Sequence, residues 1–537
     1  MGAQAPYDDP AALKGDEEVA AISLEESTQP DWTPEEERRV KRKSVIYLSQ
    51  NKSNTASFLS LYKKPLTPAK RIDFILLPIL GLAFFALQMD RGNISNALTS
   101  TITEDLHVTT NQINAGTSIL SAGIVLLEIP SNVLLQRIGP QTWLSFQILA
   151  WGLVATFQNF ITNYSGYIVT RLLLGLCEAG FIPGALYTMS LWYKKSESSS
   201  RISIFFLGNL LASATVALIG AGILGLSGRA GVAGWRWLFI VEGIITITIG
   251  LLFILLLPPS VHNSSPLISL GKWSYFTPRE HHILSRRVLL DDPAKTTSQL
   301  RISGQDIWNT VKKPRILVHV LISMSATIPV NAVQTYGPSI IKSLGFKTVR
   351  ANAMASVGNF IAAVVAVTLG FVCDKTGRRG PCVLFAATWC LIAYACLRVS
   401  IGESKWRRYA AVVFSMATNS NVQYYPQRRL VIHKLQAAPG AKYSYGANTA
   451  DNLLSSMIIM AANAAGIAGG QVFRTADAPL YVHAFTAMYV LAAATFVVVA
   501  GLMAWYFTAN RRLQRKPEIV QARTEGGEIK KAWVWIW

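Results

Sequence analysis

The chain has 537 residues, of which 51% are hydrophobic and only 15% are charged, and its net charge is +20. Repeated apolar runs of about twenty residues, the length that spans a bilayer, exclude a soluble globular domain and predict a polytopic helical membrane protein. The excess of lysine and arginine lies mostly in tails and loops, where it keeps a segment in the cytosol, so it does not indicate nucleic-acid binding.

Cysteine and histidine placement argues against a metal centre. The five cysteines lie in or beside predicted spans, which is typical of small core residues rather than of a disulfide framework or a metal site. His281 and His282 are adjacent, and adjacent helical side chains do not converge on one ion. The sequence therefore predicts no metal and no cofactor.

The N-terminal region is polar and precedes the first apolar run. Residues 1–70 are predicted to be a disordered cytosolic tail, and no cleavable signal peptide is apparent. The first span is predicted at about Phe74–Ala97 and ends in MDRGNISNAL, which places Asp90 beside Arg91. Because adjacent helical residues point about 100° apart, we expect these two side chains to face different neighbours.

The second and third spans are predicted at about Gln112–Leu135 and Trp143–Ile161, and Glu128 lies in the second. The loop before them, residues 101–110, contains no lysine or arginine. This composition is typical of the outer side of the membrane.

The fourth span, about Tyr167–Leu191, carries two full charges, Arg171 and Glu178. They are seven residues apart, close to two helical turns, so they share one face. Each charge at mid-membrane costs roughly 2.5–3.5 kcal/mol, so such groups usually face a water-filled cavity, pair with each other or bind a ligand. The alternative for Arg171 is a place near the helix end, from which it snorkels to the interface. Four small residues are expected to be helix-packing positions rather than ligand contacts: Gly175, Ala179, Gly180 and Gly184.

The turn KKSESSSR follows and places Glu197 and Arg201 at i,i+4, which predicts a surface ion pair. The fifth span, about Ser203–Leu226, carries Asn209. The sixth span, about Trp237–Leu257, holds Glu242 and completes the first half. Residues 258–314 follow as a long basic loop that is predicted to be cytosolic.

The second half also contains six predicted spans. Between the eighth and ninth stands GFVCDKTGRRG, residues 370–380. An acidic residue, a glycine turn and paired arginines at a cytosolic mouth predict a gate formed by Asp374, Arg378 and Arg379. The spans are predicted at about Ile316–Tyr336, Ala351–Cys373, Pro381–Ile401, Tyr409–Tyr424, Gly446–Gly470 and Tyr481–Phe507.

Twelve spans divided six and six predict an all-α fold of two packed six-helix halves. The predicted organisation is a tail (1–70), an N-terminal half (71–257), a central loop (258–314), a C-terminal half (315–507) and a cytosolic tail (508–537).

Several motifs resemble those of a known family. GFVCDKTGRRG is similar to the loop signature of the major facilitator superfamily. MDRGNISNAL, LLEIPSN, RLLLGLCEAGFIPGALYTMSLWY, GWRWLFIVEG and DAPLYVHAF resemble its anion:cation symporter branch, and within that branch the chain is most similar to the fungal allantoate permease family. The fifth span lacks the GxxxGPxxGG run of drug antiporters, and the sixth ends in LLPPS rather than in the PESPR-like ending of sugar porters.

The resemblance implies roles for the intramembrane charges. Asp90 and Glu178 would carry the coupling proton, and Arg91 and Arg171 would hold the substrate carboxylate. This agrees with their chemistry, because arginine stays charged and offers carboxylates a planar fork. Desolvation favours a neutral carboxylic acid and a nearby arginine favours the charged one, so an anion that engages the arginine eases protonation of the acid. Candidate cavity contacts, with ordinary helix packing as the alternative for each, are Asn209, Gln334 and Tyr336.

One residue and two longer stretches depart from the family pattern. Ile124 stands where an aromatic residue is expected, so one substrate contact of some relatives is expected to be absent. Residues 44–69 intervene where relatives run straight from a charged N-terminal helix into the first span, and residues 419–445 stand where the end of the tenth span and a short loop are expected. The hypothesis for one or both is an error of the gene model, which a transcript that encodes both stretches intact would contradict.

The function we expect is proton-coupled import of a small organic anion, such as allantoate, nicotinate or pantothenate, by alternating access. The protein is expected to be a monomer in the plasma membrane with both termini in the cytosol. The alternative is a non-transporting nutrient sensor with the same fold. An enzyme has no support, because the sequence contains no HExxH, GxSxG or Cys/His cluster.

Overall fold

A computed structural model describes the chain at residues 68–258, 266–269, 274–291, 312, 314–376, 380–418, 460–514, 521–523 and 529–531. The predicted N-terminal tail, most of the central loop, Arg378, Arg379 and the stretch 419–445 therefore lie outside the described residues.

The described chain is nearly all helical, which confirms the predicted all-α fold. Two three-residue strands, β1 (Gln521–Arg523) and β2 (Ile529–Lys531), pair antiparallel near the C-terminus. The helices are α1 (Pro68–Ala97), α2 (Ile102–Asp105), α3 (Thr110–Ile138), α4 (Pro140–Phe157), α5 (Tyr164–Glu178), α6 (Phe181–Trp192), α7 (Lys195–Leu224), α8 (Gly234–Leu256), α9 (Pro278–Asp291), α10 (Pro314–Ser343), α11 (Thr348–Thr376), α12 (Gly380–Val399), α13 (Lys405–Met416), α14 (460–469) and α15 (Val482–Gln514).

Nine helical segments within the described ranges are long and apolar enough to cross a membrane. They correspond to α1, α3, α5 with α6, α7, α8, α10, α11, α12 and α15. α4, α13 and α14 stand at the positions predicted for the third, tenth and eleventh spans, so the arrangement is consistent with twelve.

Local sequence explains where the first helices begin. The side chain of Thr109 accepts from the backbone of Gln112, whose own side chain accepts from the Thr109 backbone, and this capping box starts α3. Gly139 adopts φ 99° and is followed by Pro140, which separates α3 from α4.

The fourth span is present, but its helix is broken near the middle. α5 ends at Glu178, Ala179 is extended, and Gly180 adopts φ 83° before α6 begins. The amide of Gln147 on α4 donates to the carbonyl of Ala179 at 2.6 Å and to that of Cys177 at 3.2 Å. These bonds satisfy carbonyls that the interrupted helix leaves without a helical N–H.

Small residues bring the helices of the N-terminal half together. A Cβ at Gly175 would lie 2.2 Å from the carbonyl oxygen of Leu120 on α3, and one at Gly180 would lie 2.6 Å from the hydroxyl of Ser131. At Gly184 it would lie 2.5 Å from the side chain of Leu135. The helix-packing prediction for these three glycines is confirmed.

A buried ion pair ties α1 to α7. Arg201 Nε lies 2.9 Å from Asp73 Oδ1, and Arg201 Nη2 lies 2.8 Å from Asp73 Oδ2. The guanidinium also stacks 4.3 Å from the ring centre of Tyr193. The predicted surface role of Arg201 beside Glu197 is thus wrong, because Arg201 points into the half and reaches α1.

The two halves meet where α7 packs against α11 and α1 packs against α10. Polar contacts join them near the loop between α1 and α3, which we call the first-loop end of the bundle. There the carbonyl of Thr99 accepts from Lys342 Nζ at 2.7 Å, and its hydroxyl accepts from Asn352 at 2.6 Å. Asn114 donates to the carbonyl of Phe473 at 2.5 Å, and Tyr336 donates its hydroxyl to Asn114.

Candidate functional site

One intramembrane ion pair joins the first and fourth spans. Arg91 Nε lies 2.6 Å from Glu178 Oε2. The Glu178 side chain is fully buried, whereas 23% of the Arg91 side chain is exposed. The other carboxylate oxygen, Oε1, has no hydrogen-bond donor among the described residues. The pair is therefore anchored on the Glu178 side and accessible on the Arg91 side.

The broken helix places Glu178 at the terminus of α5. The last carbonyls of a helix carry partial negative charge, which favours a cation beside them. The guanidinium of Arg91 stands there. The interruption after Glu178 thus puts an acid and an arginine together at a helix end in the membrane.

Arg171 lies on the same buried stripe of α5 but does not pair with Glu178. Its guanidinium carbon lies 5.2 Å from the ring centre of Tyr167 and 5.8 Å from that of Phe239. The residue is only 2% exposed, and neither Nε nor Nη2 has an acceptor in the part of the chain that the structure describes. The snorkelling alternative is therefore wrong for Arg171, because its side chain is buried within the bundle.

Asp90 faces α8. The hydroxyl of Thr246 donates to Asp90 Oδ2 at 3.2 Å, while Oδ1 has no donor among the described residues. Because Arg91 pairs with α5 and Asp90 with α8, the prediction that these adjacent residues face different neighbours is confirmed.

Two further acids belong to the same interior, and the sequence prediction did not include them as site residues. Glu128 on α3 is 2% exposed and interacts electrostatically with Arg91. Glu242 on α8 is fully buried, and Asp90 is its charged neighbour. The signal was present in the sequence, since any ionisable residue inside a span is a functional candidate by its cost alone.

The remaining predicted residues lie elsewhere. Asn209 on α7 accepts a hydrogen bond from Gln88 on α1, so it joins two helices of one half. Tyr336 is buried in the contact between the halves, while Gln334 is half-buried on α10. In the predicted gate, the side chain of Asp374 and all of Arg378 and Arg379 lie outside the described residues, so the gate stays a prediction.

A family model described as "Major Facilitator Superfamily" matches residues 80–457, more than half of the chain. The chain belongs to this superfamily. Both the family and the helical fold are those of transporters that act on small molecules in membranes, rather than of enzymes.

Superfamily members from fungi are similar over long stretches. The MFS-type transporter cnsO of Penicillium expansum is 32% identical over 335 residues, which cover 62% of this chain and 64% of that protein. The major facilitator-type transporter hxnP of Emericella nidulans is 27% identical over 468 residues, which cover 86% of this chain and 89% of that protein.

Solved superfamily structures share the fold at low sequence identity. A D-xylose–proton symporter has a TM-score of 0.58 at 13% identity, with 79% of this chain and 97% of that chain covered. A bacterial homologue of the human lysosomal transporter Spinster, in an inward-facing and occupied conformation, has a TM-score of 0.54 at 16% identity, with 81% and 96% covered.

The superfamily fold thus carries a charged interior in its N-terminal half. Among the described residues, one arginine is paired with an acid, the Nε and Nη2 atoms of a second arginine have no acceptor, and the acids lie within the same bundle. Such an interior can hold an anion at the free arginine and a proton at an acid.

Proposed function

We propose that the protein is a proton-coupled secondary transporter that imports a small organic anion by alternating access, as a member of the branch that includes the fungal allantoate permeases. The observation that carries this proposal is the guanidinium of Arg171. It is buried to 98% and has two nitrogens without an acceptor among the described residues. A buried charge with free donors is costly, and a carboxylate that supplies two acceptors relieves that cost.

The rings around Arg171 suit a small anion with an apolar part. Tyr167 and Phe239 lie on α5 and α8 and stack against the guanidinium. The rings keep water away from the cation and leave its edge to a ligand. Nicotinate and pantothenate match this combination of charge and apolar surface, whereas allantoate matches the charge alone.

The Arg91–Glu178 pair supplies the coupling. While Glu178 is ionised, it occupies Nε of Arg91 at 2.6 Å. When Glu178 takes a proton, its attraction for Arg91 falls, and the partly exposed guanidinium becomes available to the substrate. Proton binding and anion binding therefore favour each other, as linkage requires.

The hydrogen bonds between the two halves support the proposal of alternating access. The polar contacts of Thr99, Asn114 and Tyr336 with the C-terminal half lie at the first-loop end, which we assign to the outer side of the plasma membrane. These contacts must open to admit substrate from outside. On this assignment both termini are cytosolic, and the gate of Asp374, Arg378 and Arg379 lies at the opposite mouth.

The test is uptake of a panel of labelled carboxylates into yeast that lack their own permeases, with the external pH stepped from about 4.5 to about 7.5 across the range in which carboxylates and histidine titrate. We expect uptake of one anion that falls as the pH rises, and its loss in Arg171→Ala and Glu178→Gln.

The chain offers a matched control. Glu403 and Arg407 form an exposed ion pair at 2.8 Å on α13, so Glu403→Gln and Arg407→Ala make the same chemical changes away from the site. We expect these controls to retain uptake. Absence of uptake of every anion by correctly localised protein would contradict the proposal and favour the nutrient sensor.

A further inference from the structure

Glu242 is a buried acid that the proposed coupling does not use. It lies on the face of α8 that also carries Phe239 and Thr246, one helical turn to either side. Its exposure is 0%, and neither carboxylate oxygen has a hydrogen-bond partner among the described residues. A carboxylate in such a place costs several kcal/mol unless it is paired, so the group must hold a proton or exchange one.

The charges around the four intramembrane acids differ. The charge of Arg171 acts on Asp90, that of Arg91 acts on Glu128, and both arginines act on Glu178. The one charged group that acts on Glu242, among the described residues, is Asp90. Among the described residues, Glu242 thus has no cation as a partner, and Thr246, one helical turn along α8, holds the carboxyl of Asp90 on the same face.

The elements packed against this face supply few other groups. α1 contributes Asp90, and α4 contributes the indole of Trp151, whose N–H is a donor near Asp90 although it completes no hydrogen bond with the described residues. α5 contributes Arg171, which stacks on Phe239, and Glu178, which is bound to Arg91. Arg201 of α7 pairs with Asp73, and the part of α7 that follows it, residues 202–224, contains no charged residue.

Asp90 is arranged to take part in an exchange. Thr246 donates to its Oδ2 at 3.2 Å, which leaves Oδ1 without a donor among the described residues. A protonated Glu242 has an O–H donor and no acceptor, while Asp90 has an acceptor and no donor on that oxygen. A protonated Glu242 can therefore donate to Asp90 when the two carboxyls approach, in competition with the indole N–H of Trp151.

We propose that Glu242 is a second proton-binding residue of the transport cycle and exchanges a proton with Asp90. This inference rests on the proposed proton-coupled function. In the transfer one O–H bond of Glu242 breaks and one O–H bond of Asp90 forms, so a single proton moves and the negative charge passes to Glu242. No further reactant is needed, and Thr246 holds Asp90 in place as a positioning residue.

The first experiment measures proton and anion flux together in proteoliposomes with the full chain, using the carboxylate of the panel that the wild type takes up. In Glu242→Gln we expect proton-driven accumulation to be lost, while exchange of the anion across the membrane without a proton gradient is retained. Thr246→Val, which removes only the donor to Asp90, is expected to shift the pH midpoint of uptake.

Unchanged accumulation and an unchanged pH profile in Glu242→Gln would overturn the inference, and so would equal loss of accumulation and exchange. If Glu242→Gln does not give monodisperse protein, Glu242→Asp replaces it, because it keeps the acid and moves it by one methylene. A shifted pH midpoint then supports the inference, and an unshifted one overturns it.

A second experiment separates this inference from the proposed function. Dicyclohexylcarbodiimide is an apolar reagent that modifies protonated carboxyls, and mass spectrometry locates the product. We expect Glu242 to react at neutral pH, whereas the exposed Glu403 does not. Lack of uptake by the wild type would contradict the transport proposal alone, while lack of reaction at Glu242 would contradict the assignment of its proton.

Discussion

The two halves of the bundle bury different kinds of polar group. The spans of the N-terminal half bury five full charges at 3% exposure or less, whereas the described spans of the C-terminal half bury neutral groups such as Asn352 and Asn359. In those C-terminal spans the lysines and arginines stand near helix ends, as Lys342 and Arg398 do. The five charges of the first half are Asp90, Glu128, Arg171, Glu178 and Glu242.

This difference in buried polar groups indicates that the two halves have different roles. Charges in an apolar bundle are costly and are kept where they bind or move a charge, so the N-terminal half is the place for anion and proton chemistry. Neutral amides and hydroxyls form hydrogen bonds at lower cost, and several of those in the C-terminal half reach across to the first. They suit contacts that must form and break in a cycle.

The largest expected effect is the loss of stability when a buried ion pair of the N-terminal half is broken, compared with an exposed pair of the C-terminal half. Asp73→Asn breaks the pair with Arg201, in which both side chains are 7% exposed, and should destabilise the protein by about 3–5 kcal/mol because the buried guanidinium loses the carboxylate that accepts two of its hydrogen bonds. Glu403→Gln breaks the pair with Arg407, whose side chains are 45% and 75% exposed, and should cost about 1 kcal/mol or less. Thermal unfolding in detergent measures both, and equal losses would contradict the comparison.

A second prediction tests whether the charge or the shape of Arg171 matters. Arg171→Lys keeps the charge but loses the planar fork, and should lower uptake about a hundredfold through misplacement of the anion. Arg398→Lys makes the same change in the C-terminal half, where Nε donates to Thr486 at 2.9 Å on an exposed surface, and should leave uptake near the wild-type value. Wild-type uptake by Arg171→Lys would place the anion elsewhere.

The contacts between the halves give a smaller effect. Tyr336→Phe removes the hydroxyl that donates to Asn114, a loss of about 1 kcal/mol that should favour opening of the first-loop end about fivefold. The rate at which a thiol reagent modifies Ser118→Cys, introduced on the α3 side of this contact, reports the opening.

Tyr394→Phe is the matched control for this prediction. Its hydroxyl bonds to Thr418 at 3.2 Å within the C-terminal half, so its loss should change stability without changing the thiol reaction. An equal rise in both variants would mean that the reaction reports loosening of the fold and not separation of the halves.

The smallest effect concerns the start of α15. Asp477 accepts from the backbone N–H groups of His483 and Ala484 at 3.1 and 2.8 Å, and Asp477→Asn should cost about 0.5–2 kcal/mol as the loss of a charged cap. Burial by itself raises the pKa of Asp477. The hydrogen bonds from these N–H groups and from the His483 ring outweigh it, so the pKa lies below its usual value.

The pH dependence follows from that lowered pKa. Asp477 contributes stability above the pKa that it has in the unfolded chain, and this contribution is lost as the pH falls through the lower pKa of the folded state. The difference in melting temperature between wild type and Asp477→Asn should therefore shrink in acid, whereas Glu104→Gln, at an exposed position of α2, should show no such trend. A constant difference across pH would contradict the assignment of the cap.

Much of the fold could be predicted from local patterns. Apolar runs of span length, the basic loop between the halves and the motif resemblance predicted the all-α bundle and its superfamily, because the bilayer constrains each segment separately. The break after Glu178 could not be predicted in this way. It depends on Gln147 of another helix, whose amide satisfies the freed carbonyls.

The sequence by itself determined the fold class, the superfamily and the presence of costly charges inside the spans, since these follow from residue type and spacing. Only the tertiary structure decided how those charges are shared. Among the described residues it pairs Arg91 rather than Arg171 with Glu178, leaves Nε and Nη2 of Arg171 without an acceptor, and puts Glu242 on the helix face that bonds Asp90, with no hydrogen-bond partner of its own. The physical reason is that pairing depends on the rotation and approach of helices distant in sequence, which side-chain packing sets and local pattern does not.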